Sequence, residues 1–291
     1  MKKYIAALLT VFNRKDTTLR CLRELGNQVL PEGYEIEVFL TNDGCTDGTP
    51  EAIASEFPKV HVINGDGNLY WNQGMLAAWS EAERSRNYDY YLWLNDDTLL
   101  YDDAIGCLLQ TAENTSNMSI VVGCTTNMQE SGVVTYSGLN EKNEMITPNG
   151  QLQECHHFNG NCVLIPKYVY DRLGKTDPYF HHSGGDFDYG KRALKENIKN
   201  ILTPKFIGRC DRHNKIPKWF NPQYSFKERL KDFNSPTGGA WKESFYTNRK
   251  HRGLLYACYR LAAYLTKLLF PSLVYKRALK DKFIFNGAED K

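Results

Sequence analysis

The sequence predicts an α/β fold, with a mostly parallel, Rossmann-like sheet flanked by helices and a C-terminal helical appendage. Three observations predict it. Apolar runs of strand length alternate with segments of helical periodicity through residues 4–94, which is the βαβ rhythm of a parallel sheet. The polar stretches fall where successive strands end, at residues 10–14, 42–46, 65–72 and 95–97, and open α/β sheets bind their ligands at that edge. The strand over 90–94 stops abruptly on two adjacent carboxylates, Asp96 and Asp97.

Each element has its own signal. Residues 4–12 read as a buried strand, with an unbroken apolar run from Ile5 to Leu9. Leu19, Leu22 and Leu25 recur at helical spacing over 16–27. A strand at 35–41, a short helix at 48–57 and a strand at 60–64 follow, then a helix at 71–84. From about residue 120 the strand signals become irregular, with 133–137 and 162–165 the clearer ones, and a mixed or antiparallel addition is expected. Residues 177–188 read as a loop and 189–197 as a helix. Residues 217–239, with their Pro, Asn and Gly, read as a connector. The expected division is a domain over 1–215, with halves at 1–100 and 101–215, followed by a connector and helical region over 216–291.

Composition narrows the function. A chain of 291 residues with net charge +2 offers no charge-driven nucleic-acid partner. Its 18 Tyr and 14 Phe exceed what a core needs and suit ligand or membrane-interface surfaces. The eight Cys include no Cys-x-x-Cys pair, which argues against a zinc ribbon or a disulfide scaffold and for reduced, cytosolic thiols. Met1 to Leu9 has the basic start and apolar run of a signal peptide, but Asn13-Arg14-Lys15-Asp16 breaks it, so a first core strand is the better reading. The acidic pair is the sharpest chemical clue. Neighbouring carboxylates repel unless a cation lies beside them, and a hard divalent ion that suits a diphosphate is the usual one. Taken alone, the octapeptide Tyr91–Thr98 is equally compatible with a solvated turn.

Together these motifs resemble the inverting nucleotide-sugar transferases of glycosyltransferase family two, with their glycosyltransferase-A fold. The relatives most evoked are bacterial rhamnosyl- and galactofuranosyl-type transferases of polysaccharide assembly. The resemblance runs over roughly residues 4–215. It implies that Thr10-Val11-Phe12-Asn13-Arg14 lines the base pocket, with Thr10 bonding and Phe12 stacking on a pyrimidine. Within Asn42-Asp43-Gly44-Cys45-Thr46-Asp47-Gly48-Thr49, Asp43 is implied as reader of the imide N–H; the plain reading of the same stretch is a turn followed by a helix cap at Asp47 or Thr49. Gly67-Asn68-Leu69-Tyr70-Trp71-Asn72-Gln73-Gly74 matches the element that offers helix-start amides to a ligand, with Asn68, Trp71 and Asn72 on the nucleotide or sugar side. A core position for Tyr70 and Trp71 fits equally well.

In Asn95-Asp96-Asp97 the resemblance implies Asp97 as ligand of Mn²⁺ or Mg²⁺ and Asp96 as a contact to ribose or sugar, with Asn95 replacing a customary acid. His213 falls where relatives supply a further metal ligand. Asp186, in Gly184-Gly185-Asp186-Phe187-Asp188, inherits the role of catalytic base, and Gly185 replaces its usual acidic neighbour. The implied reaction moves a hexosyl residue from a UDP- or dTDP-sugar to a hydroxyl of a growing surface glycan.

The run over 254–275 is apolar nearly all round except at Arg260 and Lys267. With Arg249, Lys250, His251, Arg252, Lys276, Arg277, Lys280 and Lys282 flanking it, peripheral membrane contact through 249–282 is one reading, and packing on protein the other. Membrane contact would suit a polyprenyl-diphosphate-linked acceptor and a cytoplasmic protein on the inner membrane face. Two rival functions remain. A nucleotidyltransferase would need a glycine-rich triphosphate loop that residues 13–16 lack; a non-catalytic nucleotide-sugar or membrane-surface binder is favoured by Asn95 and Gly185.

Overall fold

The computed structural model describes residues 2–129, 132–212 and 216–275. The chain divides into two compact units, Met1–His181 with Gly185–Arg212, and His182–Gly184 with His213–Lys291. His213, Lys276, Arg277, Lys280 and Lys282 lie outside the described residues.

The first unit is built on strands β1 (Lys3–Val11), β2 (Tyr34–Asn42), β3 (His61–Asn64), β4 (Tyr90–Leu94), β5 (Leu99–Leu100), β6 (Ile120–Thr126), β7 (Val134–Tyr136), β8 (Gly138–Leu139), β9 (Gln153–Cys155), β10 (His157–Phe158), β11 (Cys162–Pro166) and β12 (Asn200–Arg209). Between them run α1 (Lys15–Gly26), α2 (Thr49–Glu56), α3 (Tyr70–Ser85), α4 (Ala104–Asn114), α5 (Lys167–Leu173) and α6 (Gly185–Lys195). The main sheet has the order β3-β2-β1-β4-β11-β6-β12-β5. Its first four strands are mutually parallel, as the βαβ rhythm requires. The expected mixed addition follows, because β11 runs antiparallel to both β4 and β6.

Both faces of the sheet are covered at β1, which is why Ile5 to Leu9 are apolar without a break. Ile5, Ala7, Leu9 and Val11 pack towards Leu19, Leu22, Leu25 and Leu108. Ala6 and Leu8 face the other way, among Trp79, Tyr91, Trp93 and Tyr189. This second layer is aromatic: the Trp79 and Trp93 rings meet edge to face at 5.8 Å, and Trp93 meets Tyr189 at 5.2 Å.

Three segments differ from the sequence reading. The loop expected over 177–188 ends early, since α6 already begins at Gly185 and carries Asp186 and Asp188 in its first turn, where the helix dipole favours acids. The expected connector over 217–239 contains a 3₁₀ turn at Lys218–Phe220 and α7 (Phe226–Phe233). Ser225 and Glu228 form a reciprocal capping box at the start of α7, a pattern present in the sequence but outweighed there by the surrounding Pro, Asn and Gly. Third, α8 (Trp241–Arg252) precedes α9 (Leu254–Leu269), which stops before Pro271. Helices α4 and α5 were also not anticipated. The second unit closes on Trp219, Phe233 and Leu268, with Trp219 stacked on Tyr264 at 5.0 Å.

Helix α3 lies unusually close to β1 at Gly74. A Cβ there would meet the Thr10 hydroxyl at 2.2 Å and its Cβ at 2.8 Å, and the Gly74 carbonyl accepts from Thr41 Oγ1 at 2.7 Å. The glycine expected to let amides reach a ligand serves helix-to-strand packing instead. Gly74→Ala is therefore expected to lower unfolding free energy by about 1–3 kcal/mol, the usual cost of overpacking, as read from urea denaturation.

Candidate active site

The carboxyl ends of β1, β2, β3 and β4 lie along one sheet edge, and the segments leaving them carry the candidate residues. β4 hands over to Asn95, whose N–H donates to the Asn161 carbonyl at 2.8 Å, and Thr98 N–H closes the turn back onto Asn95 at 3.1 Å. The cation that the acidic pair demands is present as a side chain. Arg14 Nη2 lies 2.5 Å from Asp96 Oδ1 and Arg14 Nη1 lies 2.7 Å from Asp97 Oδ2, one guanidinium spanning both carboxylates. Thr18 Oγ1 donates to Asp96 Oδ2 at 3.1 Å, and the Cys210 thiol donates to Asp97 Oδ1 at 3.5 Å. Burial pushes that thiol well up, so it stays protonated. Burial also pushes the Asp96 carboxyl up to about 7, against the pull of Arg14.

The two acids are not equivalent. Asp96 is 1% exposed and faces Arg14 and Thr18, so the expected contact to ribose or sugar gives way to holding Arg14. The Asp97 side chain is 16% exposed and opens to the cleft edge, as does that of Arg14 at 41%. Phe12, at 54%, is exposed, whereas Thr10 is half-buried under α3.

Asp43 organises the next loop. Its Oδ1 accepts the Gly67 and Leu69 amides at 2.9 and 3.1 Å, and its Oδ2 accepts that of Tyr70 at 2.9 Å. Tyr70 takes φ +55°, a conformation that costs a bulky residue free energy, and the Asp43 carboxylate offsets that cost at the start of α3. Gly44 is also at positive φ, and a Cβ on it would meet Gly67 Cα at 2.9 Å, so the two loops close on each other through glycines. Asp47 accepts from the Thr49 amide and hydroxyl and from the Lys15 amide, tying the start of α2 to that of α1, while the N-cap position of α2 itself is Gly48. Asn68 is exposed at the rim, its amide bonded to Asp66 Oδ1.

The first turn of α3 then reaches the far side of the cleft. Trp71 Nε1 donates to Asn95 Oδ1 at 2.8 Å, beside the acidic pair. The outer edge of the same indole lies against Gly160, where an added Cβ would come within 2.8 Å of the ring. The Gly160 amide in turn donates to Asp186 Oδ2 at 3.0 Å, and the Phe187 amide to Asp186 Oδ1 at 2.8 Å. One indole therefore separates Asp186 from the Asn95-Asp96-Asp97 turn, and sequence reasoning had not singled out Gly160.

Asn72 corrects another expectation. It is fully buried and cannot contact nucleotide or sugar; its Nδ2 donates to the carbonyls of Asp177 and Phe180 at 3.1 and 2.9 Å, and its amide to that of His181 at 2.8 Å. Gln73 Nε2 adds bonds to the Pro178 and Phe180 carbonyls. These bonds hold the segment that leads into Asp186. They also account for Gly185, because a Cβ there would fall 2.1 Å from Asn72 Oδ1.

Among the described residues no group of three His, Cys, Asp or Glu side chains converges as a metal cage. The donor chemistry nevertheless fits a hard divalent ion. Asp97 presents carboxylate oxygen beside a cation it already binds, and Mg²⁺-like ions are commonly held by one or two carboxylates together with substrate phosphates.

Known proteins resemble this chain in sequence and in fold. The family model described as Glycosyl transferase family 2 matches residues 7–174. Poly-beta-1,6-N-acetyl-D-glucosamine synthase of Staphylococcus epidermidis is 29% identical over 119 residues, 41% of this chain and 28% of that protein. The same-named protein of Staphylococcus aureus strain MSSA476 is 28% identical over 120 residues, again 41% and 28%. The match thus spans 28% of the length of these curated relatives. Among solved structures, S. aureus TarS 1-349 aligns with TM-score 0.55 at 11% identity, covering 94% of this chain and 73% of that one. Mannosyltransferase PcManGT from Pyrobaculum calidifontis, in complex with GDP-Man and Mn²⁺, aligns with TM-score 0.54 at 13% identity, covering 98% and 81%. Both likenesses speak to the glycosyltransferase-A fold.

Asp43→Ala is expected to leave the amides of Gly67, Leu69 and Tyr70 without this acceptor and to destabilise the protein by about 2–3 kcal/mol. Denaturant melts should report the loss, with faster amide exchange confined to residues 65–72.

Proposed function

The chain belongs to glycosyl transferase family 2, and on that premise we propose an inverting, metal-assisted hexosyltransferase that uses a UDP- or dTDP-sugar and a hydroxyl of a growing glycan. The observation that carries the reading is the Trp71 indole, bonded to Asn95 on one edge and packed beside the Gly160–Asp186 pair on the other. A sugar lying along that indole would have its diphosphate towards Asp97 and its opposite face towards Asp186, the geometry that inversion needs. Phe12 stacks on the base, with Thr10 and Asp43 beneath it and Asn68 at the rim. Mn²⁺ or Mg²⁺ held at Asp97 would neutralise charge on the departing diphosphate.

Asp186 takes the proton from the acceptor hydroxyl as that oxygen attacks the anomeric carbon. The amides of Gly160 and Phe187 fix the direction of its carboxylate, and the Asn72 clamp fixes the segment before it. Asp186→Asn should lower transfer by about 10²–10⁴-fold while nucleoside diphosphate binding, measured by calorimetry, persists. Full transfer by the variant would remove Asp186 from the role of base. Donors to screen are UDP-, dTDP- and GDP-sugars, the last because the Pyrobaculum enzyme was solved with GDP-Man.

A peripheral membrane contact belongs to the same reading, with a polyprenyl-diphosphate-linked acceptor on the inner, cytoplasmic membrane face. Leu255, Tyr259 and Leu273 are 89%, 67% and 75% exposed, and residues 244–275 hold five Lys and Arg and no acid. No helix among the described residues is long and apolar enough to cross a membrane. The protein should co-sediment with vesicles rich in phosphatidylglycerol but not with pure phosphatidylcholine, and Leu255→Glu should weaken that binding by at least about fivefold. Equal recovery with both vesicle types would argue for α9 as a protein-packing helix.

A further inference from the structure

We propose that Arg14 and a divalent cation compete for Asp97, and that the ion, on taking Asp97, releases the Arg14 fork to the diphosphate of the donor. The inference rests on the transferase reading above and assigns Arg14 a task beyond lining the base pocket. Its basis is one shared oxygen. Arg14 Nη1 lies 2.7 Å from Asp97 Oδ2, the more open of the two acids, and the other Asp97 oxygen already receives the Cys210 thiol. An ion bound at Oδ2, about 2.1 Å away, would bring two positive centres within a few ångströms of each other, and the guanidinium has to move off.

Where it moves is limited by its own geometry. Arg14 stands at the entry to α1, its side chain is 41% exposed, and Nη2 keeps a second bond to buried Asp96. Asp96 therefore acts as a pivot that retains the side chain at the cleft while Nη1 swings free. A planar fork of N–H donors is suited to phosphate oxygens, with two parallel bonds that an ammonium group cannot copy. The ion and the donor then favour each other's binding through Arg14, in addition to any direct ion-to-phosphate bond.

The test uses Mn²⁺ alone, followed by electron paramagnetic resonance, and then UDP, dTDP and GDP titrations with and without Mn²⁺. Arg14→Gln should bind Mn²⁺ alone about fivefold more tightly than the parent protein, the scale of one partly exposed ion pair. Its Mn²⁺-dependent gain in nucleoside diphosphate affinity should fall by a similar factor. Arg14→Lys, which keeps the charge, should bind Mn²⁺ alone with an affinity between the two and keep the weaker diphosphate coupling; it also serves if Arg14→Gln melts early. Equal or weaker Mn²⁺ binding by Arg14→Gln, or no Mn²⁺ binding by either protein, overturns the proposal. Sugar transfer by the parent protein in excess EDTA overturns it too, yet leaves the transferase reading standing. Tighter Mn²⁺ binding by Arg14→Gln, with no transfer by the parent protein from any donor, supports the competition and sinks the transferase reading instead.

Discussion

The first turn of α3 is the point on which the rest of the cleft depends. Within Tyr70–Gln73 the backbone is held by Asp43, the indole of Trp71 is tied to Asn95, and Asn72 with Gln73 grips the carbonyls of residues 177–181. Four consecutive residues thus join the loops after β2 and β4 to the segment that presents Asp186. The turn can do this only because Gly74, one residue later, lets the helix settle onto β1, and because Asp43 stabilises the unusual backbone of Tyr70. Both features are local.

That arrangement explains which parts were legible in the sequence. Alternation of apolar runs and helical periods was enough to read the parallel half, because the central strands β1 and β4 are covered on both faces and are largely apolar. The acidic turn was legible as a place needing a cation. That the cation is Arg14, some eighty residues away, was not, since sequence spacing says nothing about which strand ends become neighbours until strand order is known. Asn72 was read as a ligand contact because an amide near a helix start has that chemistry available; burial decides between the options, and burial is a tertiary property. The irregular segments were hardest. Prolines and glycines around α7 hid a helix whose cap was plainly spelled.

Charge in the site is more evenly balanced than two adjacent carboxylates would imply. Asp96 and Asp97 share one guanidinium, and the nearest thiol, Cys210, is kept neutral by its surroundings. With the Asp96 carboxyl raised to about 7 by burial, the turn and Arg14 together carry between −1 and 0 near neutral pH, where the bare sequence gives −2. An anionic diphosphate approaches such a turn more easily than it would an uncompensated pair. Asn95 contributes to the same balance: as a neutral acceptor for the Trp71 indole it keeps the wall of the cleft rigid without adding a third charge.

The contact between Asn72 and Gly185 bears on how this chain could have diverged. With 2.1 Å between the amide oxygen and the place of a β-carbon, any side chain at 185 obliges Asn72 to shift or be replaced. The two positions are sterically coupled, so an acid gained beside Asp186 calls for a compensating change at 72. Any graft of a Glu-Asp dipeptide from a relative into this scaffold would need both sites exchanged at once.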